Sequence, residues 1–253
     1  MSAFLHQAIL ATQEIINILQ KKDSSLYALH NVGAGGDVSI GADLISERIY
    51  MEHLLPLASV NSEESGFVQG KGSDCIVLDP LDGSDNFLSH IPYYGSSLAL
   101  CDANGVVKES VIFNFCTKEG VARVGEKVLT FCIQSYMLHK EEAFQTLQVA
   151  SISKCGIFEK AYHNPKIATL LYQNQLKFRS LGASALSMAK AYEVNFMLFA
   201  GKIRDFDSKA GLFLCKNLHC ISTDNFTLIS KDKHIFDTIS HIFSKQKDKN
   251  GFW

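Results

Sequence analysis

The feature that constrains this chain most is a short apolar segment that ends on paired acids. Residues 75–78 (CIVL) are all apolar and too few for a helix, and they run directly into Asp79-Pro80. The pattern predicts a strand buried on both faces of a covered sheet, ending at Asp79. The Asp79 carboxylate then emerges at the carboxyl end of a strand, the edge where α/β proteins bind ligands. Because Pro80 fixes the turn, we expect Asp82 to lie beside Asp79.

Helical and strand patterns alternate along the rest of the chain. Apolar residues spaced three and four apart predict helices at 3–20, from about 42, at 183–193, at 206–216 and at 232–245. Shorter apolar or alternating segments predict strands at 94–116, 178–181 and 195–200. The glycine-rich residues 31–41 predict a loop. Helices and strands in this order predict an α/β or α+β protein built in layers.

The sequence offers no clear domain boundary. It contains no Ser/Pro linker, internal repeat or low-complexity tract. We therefore predict one unit over residues 1–253. The alternative is a metal- and phosphate-binding part at 1–150 followed by a substrate-binding part at 151–253.

Charge and cysteine content exclude several classes of protein. Lys and Arg total 24 against 26 Asp and Glu, so the net charge of −2 provides no positive field for nucleic acid or anionic lipid. Polar residues interrupt the first apolar stretch and no basic residue precedes it, unlike a signal peptide or a membrane span. The seven cysteines include no C-x-x-C pair and predict reduced, buried thiols. We expect a cytoplasmic protein that binds neither nucleic acid nor membranes.

Acidic residues are concentrated around the apolar strand. Between residues 59 and 90 there are six carboxylates and one lysine. Mutual repulsion disfavours this arrangement unless a cation lies among the acids, and Mg²⁺ prefers carboxylate and carbonyl oxygens. The D-x-x-D-G spacing is also typical of a tight turn with an Asx cap, and the residues alone leave that alternative open. A calcium loop is excluded because Pro80 occupies its second position.

The residues that follow Asp82 predict a phosphate-binding element. Gly83 and Ser84 expose backbone N–H groups at the start of a helical turn, with Ser84 as its cap. Unpaired amides and the positive end of the helix dipole bind phosphate. Carboxylates that hold magnesium, joined to such an element, predict metal-assisted hydrolysis of a phosphate ester.

Three segments together resemble the signatures of the inositol monophosphatase family. They are EES at 63–65, DPLDGSDNF at 79–87 and FDSKAG at 206–211. This superfamily of magnesium-dependent, lithium-sensitive phosphatases also includes fructose-1,6-bisphosphatases and 3′(2′),5′-bisphosphate nucleotidases. The resemblance implies an αβαβα layered sandwich, a homodimer and a small phosphorylated metabolite as substrate. It also implies about two or three Mg²⁺ ions per active site and inhibition by Li⁺.

The resemblance implies a role for each matching residue. The implied ligands of a first magnesium are Glu63, Asp79 and the Leu81 carbonyl, and those of a second are Asp79, Asp82 and Asp207. Asp43 pairs with the Ser84 hydroxyl to orient the attacking water, and Glu63 assists the same water. The implied substrate ligands are Gly83, Ser84, Gly182, Ala183, Ser184 and Asp207, and we add Arg204 to them because of its charge. The reaction is then a direct in-line attack by water, without a phospho-enzyme.

Substrate-facing positions depart from the family pattern. Ala183 lies where Thr is common, and Ala200 lies where true inositol monophosphatases have a Glu that binds ring hydroxyls. Lys202 and Arg204 follow Ala200, and Arg179 leads into the substrate turn. A pocket that loses an acid and gains cations favours a second anionic group, so we expect a bisphosphate substrate. The alternative is that Lys202 and Arg204 face solvent.

Several functions stay open at this point. Inositol 1-phosphate competes with fructose 1,6-bisphosphate and with adenosine 3′,5′-bisphosphate as the substrate. A rival from another class is a catalytically silent, metal-binding regulatory relative. Against that rival, the chain retains all six residues that the resemblance assigns to chemistry, namely Asp43, Glu63, Asp79, Asp82, Ser84 and Asp207.

Overall fold

Helices and strands are interspersed along the described chain, which also contains runs of three and four consecutive strands within residues 59–82 and 95–132. The computed structural model describes residues 1–247, and positions 248–253 of the predicted unit lie outside the described residues. The α-helices are α1 (Ala3–Leu19), α2 (Gly41–Leu54), α3 (Ser84–Leu88), α4 (Ile133–His139), α5 (Pro165–Gln173), α6 (Ser184–Ala189), α7 (Asp205–Leu214) and α8 (Lys233–Lys247). The strands are β1 (Leu29–Val32), β2 (Val38–Ile40), β3 (Ser59–Ser62), β4 (Gly66–Val68), β5 (Cys75–Asp82), β6 (Gly95–Cys101), β7 (Val107–Asn114), β8 (Glu119–Val124), β9 (Lys127–Cys132), β10 (Gln145–Thr146), β11 (Gly156–Glu159), β12 (Phe178–Arg179), β13 (Met197–Ala200), β14 (His219–Ser222) and β15 (Phe226–Ser230).

The strands form two large sheets and one hairpin. The first sheet has eight strands in the order β10-β9-β8-β7-β6-β5-β3-β4, and within it β3 and β5 are parallel neighbours. The second sheet has five strands in the order β12-β11-β13-β15-β14, with β11 parallel to both β12 and β13. β1 and β2 form the hairpin. Because β3 and β5 run in the same direction, their carboxyl ends meet at one edge of the first sheet.

Alternating side chains place helices on both faces of the eight-stranded sheet. Successive residues of a strand point to opposite faces. Ile76 and Leu78 of β5 belong to a core shared with α1 and α2. Val77, between them, belongs to a core shared with α6 and α7. The strand is therefore buried on both faces, as its apolar sequence predicts.

The five-stranded sheet is covered in the same way. Met197 and Phe199 of β13 join the core that contains α6 and α7, and Leu198 joins a third core with α5 and α8. The layers therefore follow the order helix, sheet, helix, sheet, helix. This arrangement confirms the predicted α/β (α+β) fold class and the αβαβα sandwich.

Strand β5 is longer than the sequence predicts. It continues through Pro80 to Asp82, so the prediction that it ends at Asp79 is wrong. Its pairing with β3 ends at Leu78, and its register with β6 shifts between Asp79 and Asp82. Pro80 has no backbone N–H to donate to a neighbouring strand. It lies in this irregular stretch, where the pairing of β5 does not require that hydrogen bond.

The glycine-rich segment that the sequence predicts as a loop contains a hairpin. β1 and β2 flank residues 33–37, and every residue of β1 is exposed. An exposed four-residue strand followed by a three-residue one lacks the apolar alternation that predicts strands. The other predicted elements are present near their expected bounds, although the helix expected at 183–193 divides into α6 and a 3-10 turn at Lys190–Tyr192.

Candidate active site

A polar cavity opens at the edge where β3 and β5 end. Its volume is about 600 Å³, and it is lined by residues after β3, the end of β5, the start of α3 and the turn before α6. The parallel strands bring Glu63 and Asp79 to this edge, and Asp207 reaches it from the first turn of α7. All the acids to which the family resemblance gives a chemical role line this cavity, namely Asp43, Glu63, Asp79, Asp82 and Asp207.

Three of these carboxylates converge closely enough to share a cation. Glu63, Asp79 and Asp207 each offer one oxygen, and the three oxygens lie within 4.8 Å of one another. Asp79 is 2% exposed and Glu63 is 9% exposed. Oxygen donors without nitrogen or sulfur suit a hard divalent cation such as Mg²⁺. The residues present therefore fit the metal that the sequence resemblance implies.

Burial makes these carboxylates reluctant to ionise. It raises the pKa of Glu63 to about 7, a rise that the Arg204 guanidinium opposes and Asp207 reinforces. Burial, together with Glu63 and Asp82, raises the pKa of Asp79 well above its usual range. A bound cation favours the ionised form of each group, so metal binding and proton release are coupled at this site.

Asp82 and Leu81 lie beside this group at the end of β5. Asp82 Oδ2 accepts a hydrogen bond from the Leu186 N–H of α6 at 2.9 Å. Burial, reinforced by Asp207, raises the pKa of Asp82 well above its usual range. The Leu81 N–H donates to Asp79 Oδ1 at 3.0 Å and holds that carboxylate against its own strand. Asp82 thus links the acidic group to α6.

Asp43 and Ser84 lie in the first turns of α2 and α3, on the same cavity. Asp43 Oδ2 accepts a hydrogen bond from the Ile40 N–H at 2.7 Å, as an acid at the third position of a helix commonly does. Burial raises the pKa of Asp43 to about 8, and this hydrogen bond opposes the rise. Among the described residues, the Ile40 N–H engages one oxygen of Asp43, Oδ2, and no hydrogen bond joins Asp43 to the Ser84 hydroxyl.

Two glycine turns pack together beside the acids. Gly83 (φ +90°), not Ser84 as predicted, is the N-cap residue of α3, and a Cβ there would lie 3.0 Å from both the Tyr93 carbonyl and the Ala183 methyl. This close approach, in a left-handed conformation, requires glycine. Gly182 and Ser184 line the cavity, whereas Ala183 is 1% exposed and packs against Gly83. Ala183, predicted as a substrate ligand, therefore does not line the cavity, since its methyl group fills the contact between the turns.

Two residues absent from the sequence prediction hold these turns in place. Glu159 is 1% exposed and accepts hydrogen bonds from the Gly182 N–H, at 2.8 Å, and from the Ser187 hydroxyl. Asn86 Nδ2 donates to the Leu181 carbonyl at 2.7 Å. Glu159 ends an apolar strand, β11, in the same way that acids end β5. That shared pattern is the signal that would have identified it.

Arg204 is engaged by acids rather than directed at a second phosphate. Its guanidinium lies 2.8 Å from Glu63 Oε1, 2.9 Å from Asp207 Oδ2 and 2.8 Å from Asp37 Oδ2. It also donates to the Gly35 carbonyl at 3.2 Å. The prediction that Arg204 binds substrate is therefore corrected, because anions of the protein itself take up its donors.

The other positions that suggested a bisphosphate lie away from the cavity. The Lys202 side chain is 79% exposed, as the solvent-facing alternative requires. Arg179 is exposed and donates to a neighbouring carbonyl, and Ala200 packs against the core that contains α5 and α8. Of the described residues that line the cavity, Lys160 is the cation other than Arg204.

Comparison with known proteins agrees with this geometry. A family model described as the inositol monophosphatase family matches residues 7–227. A Methanocaldococcus jannaschii protein named fructose-1,6-bisphosphatase/inositol-1-monophosphatase is 26% identical over 246 residues, which cover 93% of this chain and 90% of that protein. A protein of the same name from Thermococcus kodakarensis is 42% identical over 73 residues, 28% of each chain.

The fold is similar to that of a solved structure from Bartonella henselae, the extragenic suppressor protein suhB. The TM-score is 0.77 at 19% identity, over 96% of this chain and 99% of that one, a likeness that concerns the fold. The family match concerns the site as well as the fold, because residues 7–227 include every acid that lines the cavity. A match over most of the sequence, on this fold and with these acids, means that the chain belongs to the inositol monophosphatase family of phosphatases.

Proposed function

We propose that the chain is a Mg²⁺-dependent phosphatase that hydrolyses a phosphate monoester of a small metabolite. The observation that carries the proposal is the convergence of Glu63, Asp79 and Asp207, whose oxygens lie within 4.8 Å of one another. These acids come from distant segments that only the folded chain brings together. The turns at Gly83 and Gly182 line the same cavity, so a bound ester has room between the acids and these turns.

The metal ligands that we propose are Glu63, Asp79, the Leu81 carbonyl, Asp82 and Asp207. When bound, Mg²⁺ supplies positive charge to the phosphate oxygens and lowers the pKa of a water molecule. The contribution of the chain is a set of oxygens held in place by its own hydrogen bonds, from Leu81 to Asp79 and from Leu186 to Asp82. Ligands that are fixed before the cation arrives need little reorganisation.

Asp43, Glu63 and Ser84 are the residues that we propose orient the attacking water. The pKa of Asp43 is raised to about 8 and that of Glu63 to about 7. The Asp43 value lies near neutral pH, where a group that accepts and returns a proton is most effective, and a bound cation would hold Glu63 in the ionised form that accepts a proton. The Ser84 hydroxyl can donate and accept, which suits a group placed between an acid and a water. In-line attack then transfers the phosphoryl group directly to water.

A phosphorylated sugar or polyol is the substrate class that we propose. The two archaeal relatives carry both fructose-1,6-bisphosphatase and inositol-1-monophosphatase in their names. A cavity of about 600 Å³ accommodates a phosphorylated ring, and Lys160 is available to a second anionic group. Gly83, Ser84, Gly182 and Ser184 form the surface offered to the substrate. Adenosine 3′,5′-bisphosphate is the second candidate, because Tyr162, which is 72% exposed, offers a ring surface at the cavity.

Inhibition by Li⁺, a homodimer and a cytoplasmic location complete the proposal. The family resemblance supports the first two. All seven cysteines are free, as is typical of a reducing compartment. Over residues 1–247, no helix combines the length and the apolar character needed to cross a bilayer.

Phosphate release from a panel of esters, measured with Mg²⁺ or with EDTA, tests the proposed function. The panel contains inositol 1-phosphate, fructose 1,6-bisphosphate and adenosine 3′,5′-bisphosphate. We expect release from a sugar or inositol ester that stops when EDTA is added. Release from none of the esters would favour the silent relative, and release that persists in EDTA would contradict metal dependence. Fastest release from the nucleotide would select the second candidate.

A further inference from the structure

We propose that the Arg204 guanidinium competes with the divalent cation for Glu63 and Asp207, and so sets the metal concentration that the enzyme requires. The inference rests on the metal site of the proposed function. It makes Arg204 a built-in regulator of that site rather than a ligand of the substrate.

Arg204 contacts the carboxylates that form the candidate metal site. Its Nη1 lies 2.8 Å from Glu63 Oε1, and its Nε lies 2.9 Å from Asp207 Oδ2. The same two residues, with Asp79, contribute the oxygens that lie within 4.8 Å of one another. A guanidinium keeps its charge throughout the range in which enzymes work. A divalent cation on these oxygens therefore meets a fixed positive charge at short range, and each weakens the binding of the other.

Arg204 also has a second set of acceptors, which are not among the proposed metal ligands. Nη1 also lies 2.8 Å from Asp37 Oδ2 and 3.2 Å from the Gly35 carbonyl, both in the turn between β1 and β2. Hydrogen bonds that do not involve Arg204 hold this turn in place, including one from the Gly35 N–H to the Glu63 carbonyl at 2.6 Å. The planar guanidinium can bind two sets of acceptors at once. It can therefore release the carboxylates and stay attached to the turn.

Helix capping does not explain the position of Arg204. The residue immediately precedes α7, where a cation is opposed by the positive end of the helix dipole. Acids suit that position, and the first turn of α7 contains Asp205 and Asp207. The contacts of Arg204 with the cavity acids, not those with the helix, account for a cation at this place.

Three variants test whether metal affinity depends on the contact of Arg204 with the site acids or on any nearby positive charge. They are Arg204→Gln, Arg204→Lys and Lys202→Gln. Lys202 is two residues away, exposed, and 3.9 Å from Asp224, so its replacement removes the same charge without contact with the site acids. Mn²⁺, which takes the same oxygen ligands as Mg²⁺, is titrated into protein stripped with EDTA and then dialysed. Free Mn²⁺ is measured by electron paramagnetic resonance.

We expect Arg204→Gln to bind Mn²⁺ about tenfold more tightly than the parent, a change equivalent to about 1.4 kcal/mol. Arg204→Lys, which keeps the charge, and Lys202→Gln should both stay within about threefold of the parent. Metal-free Arg204→Gln should also melt at a lower temperature than the metal-free parent, because two carboxylates lose their partner. This difference should narrow when Mn²⁺ saturates both proteins.

A second measurement uses only the loaded protein and does not require a folded metal-free variant. EDTA is added to the Mn²⁺ complex, and we expect Arg204→Gln to lose the ion about tenfold more slowly than the parent. Equal or weaker retention of Mn²⁺ by Arg204→Gln, or equal tightening by Lys202→Gln, would overturn the competition alone. A parent protein that binds no Mn²⁺ would overturn the proposed function and this inference together.

Discussion

Asp79 is the residue through which the metal site is most directly tested. It is 2% exposed, contributes an oxygen to the acidic group and accepts a hydrogen bond from the Leu81 N–H. Asp79→Asn keeps the size of the side chain but removes its charge. We expect turnover to fall by more than about 100-fold with the fold intact, since a bound metal contributes several kcal/mol to the reaction. Asp207→Asn should behave in the same way.

Circular dichroism and phosphate release with Mg²⁺ check this prediction. Asp85→Asn is the matched control, because Asp85 lines the cavity, is exposed and lies outside the three-oxygen group. We expect it to keep its activity within about threefold of the parent. Activity of Asp79→Asn within about tenfold of the parent would contradict the metal assignment.

Ser84→Ala should lower kcat more than it raises KM. The variant removes the hydroxyl proposed to orient water and leaves every backbone amide in place. Removal of such a group commonly lowers the rate by about 10²–10⁴-fold. Steady-state kinetics of Ser84→Ala, Asp43→Asn and the double variant test whether the two residues act together. We expect the double variant to lose little more than either single one, and fully additive losses would contradict the partnership.

The apparent affinity for Mg²⁺ should rise with pH through the titration of Glu63. Burial raises the pKa of Glu63 to about 7, and the metal binds the ionised carboxylate. Below that pH the metal must displace a proton from Glu63, so affinity increases with pH by up to about tenfold per pH unit for each proton displaced. Calorimetric titration in two buffers of different ionisation enthalpy counts the released protons. An affinity that is flat or falls between about pH 6 and 8 would count against this account.

Strand β11 ends in a buried acid, Glu159, which supports the Gly182 turn of the site. Glu159 accepts from the Gly182 N–H and the Ser187 hydroxyl. Glu159→Ala should leave the buried amide unpaired and destabilise the protein by about 1–3 kcal/mol. Glu159→Gln keeps one acceptor oxygen and should be milder. Thermal unfolding checks the order of stability, and equal melting temperatures of Glu159→Ala and the parent would show that the turn does not need this acid.

Strand β5 shows what local sequence can and cannot predict about an element. The apolar run at 75–78 predicts its core, and the acids after it predict the position of the site. Its continuation past Pro80 depends on a shift of register with β6, which a neighbouring strand decides and local sequence does not. Local sequence does not predict the β1–β2 hairpin either, because β1 is exposed along its whole length and has no apolar alternation.

At the scale of the whole molecule, the layered order was predicted through the family resemblance rather than from residue patterns. β10 has two exposed residues and β14 is exposed along its whole length, so neither shows a pattern typical of a sheet strand. Likewise, no local spacing joins Asp207 to Asp79, since the fold alone brings α7 to the end of β5. The contacts of Arg204 were predicted wrongly because they depend on Asp37, from the β1–β2 turn, and on Glu63.

The most direct test of the account is a crystal structure of the protein grown with Mn²⁺, with the ion located by its anomalous scattering. The central claim is that Glu63, Asp79 and Asp207 hold divalent metal within the cavity. We predict anomalous peaks that place a metal ion at about 2.0–2.3 Å from an oxygen of each of the three carboxylates, from one ion or from two ions that share Asp79. A peak elsewhere, or none at these acids in protein that requires Mn²⁺ for phosphate release, would contradict the claim.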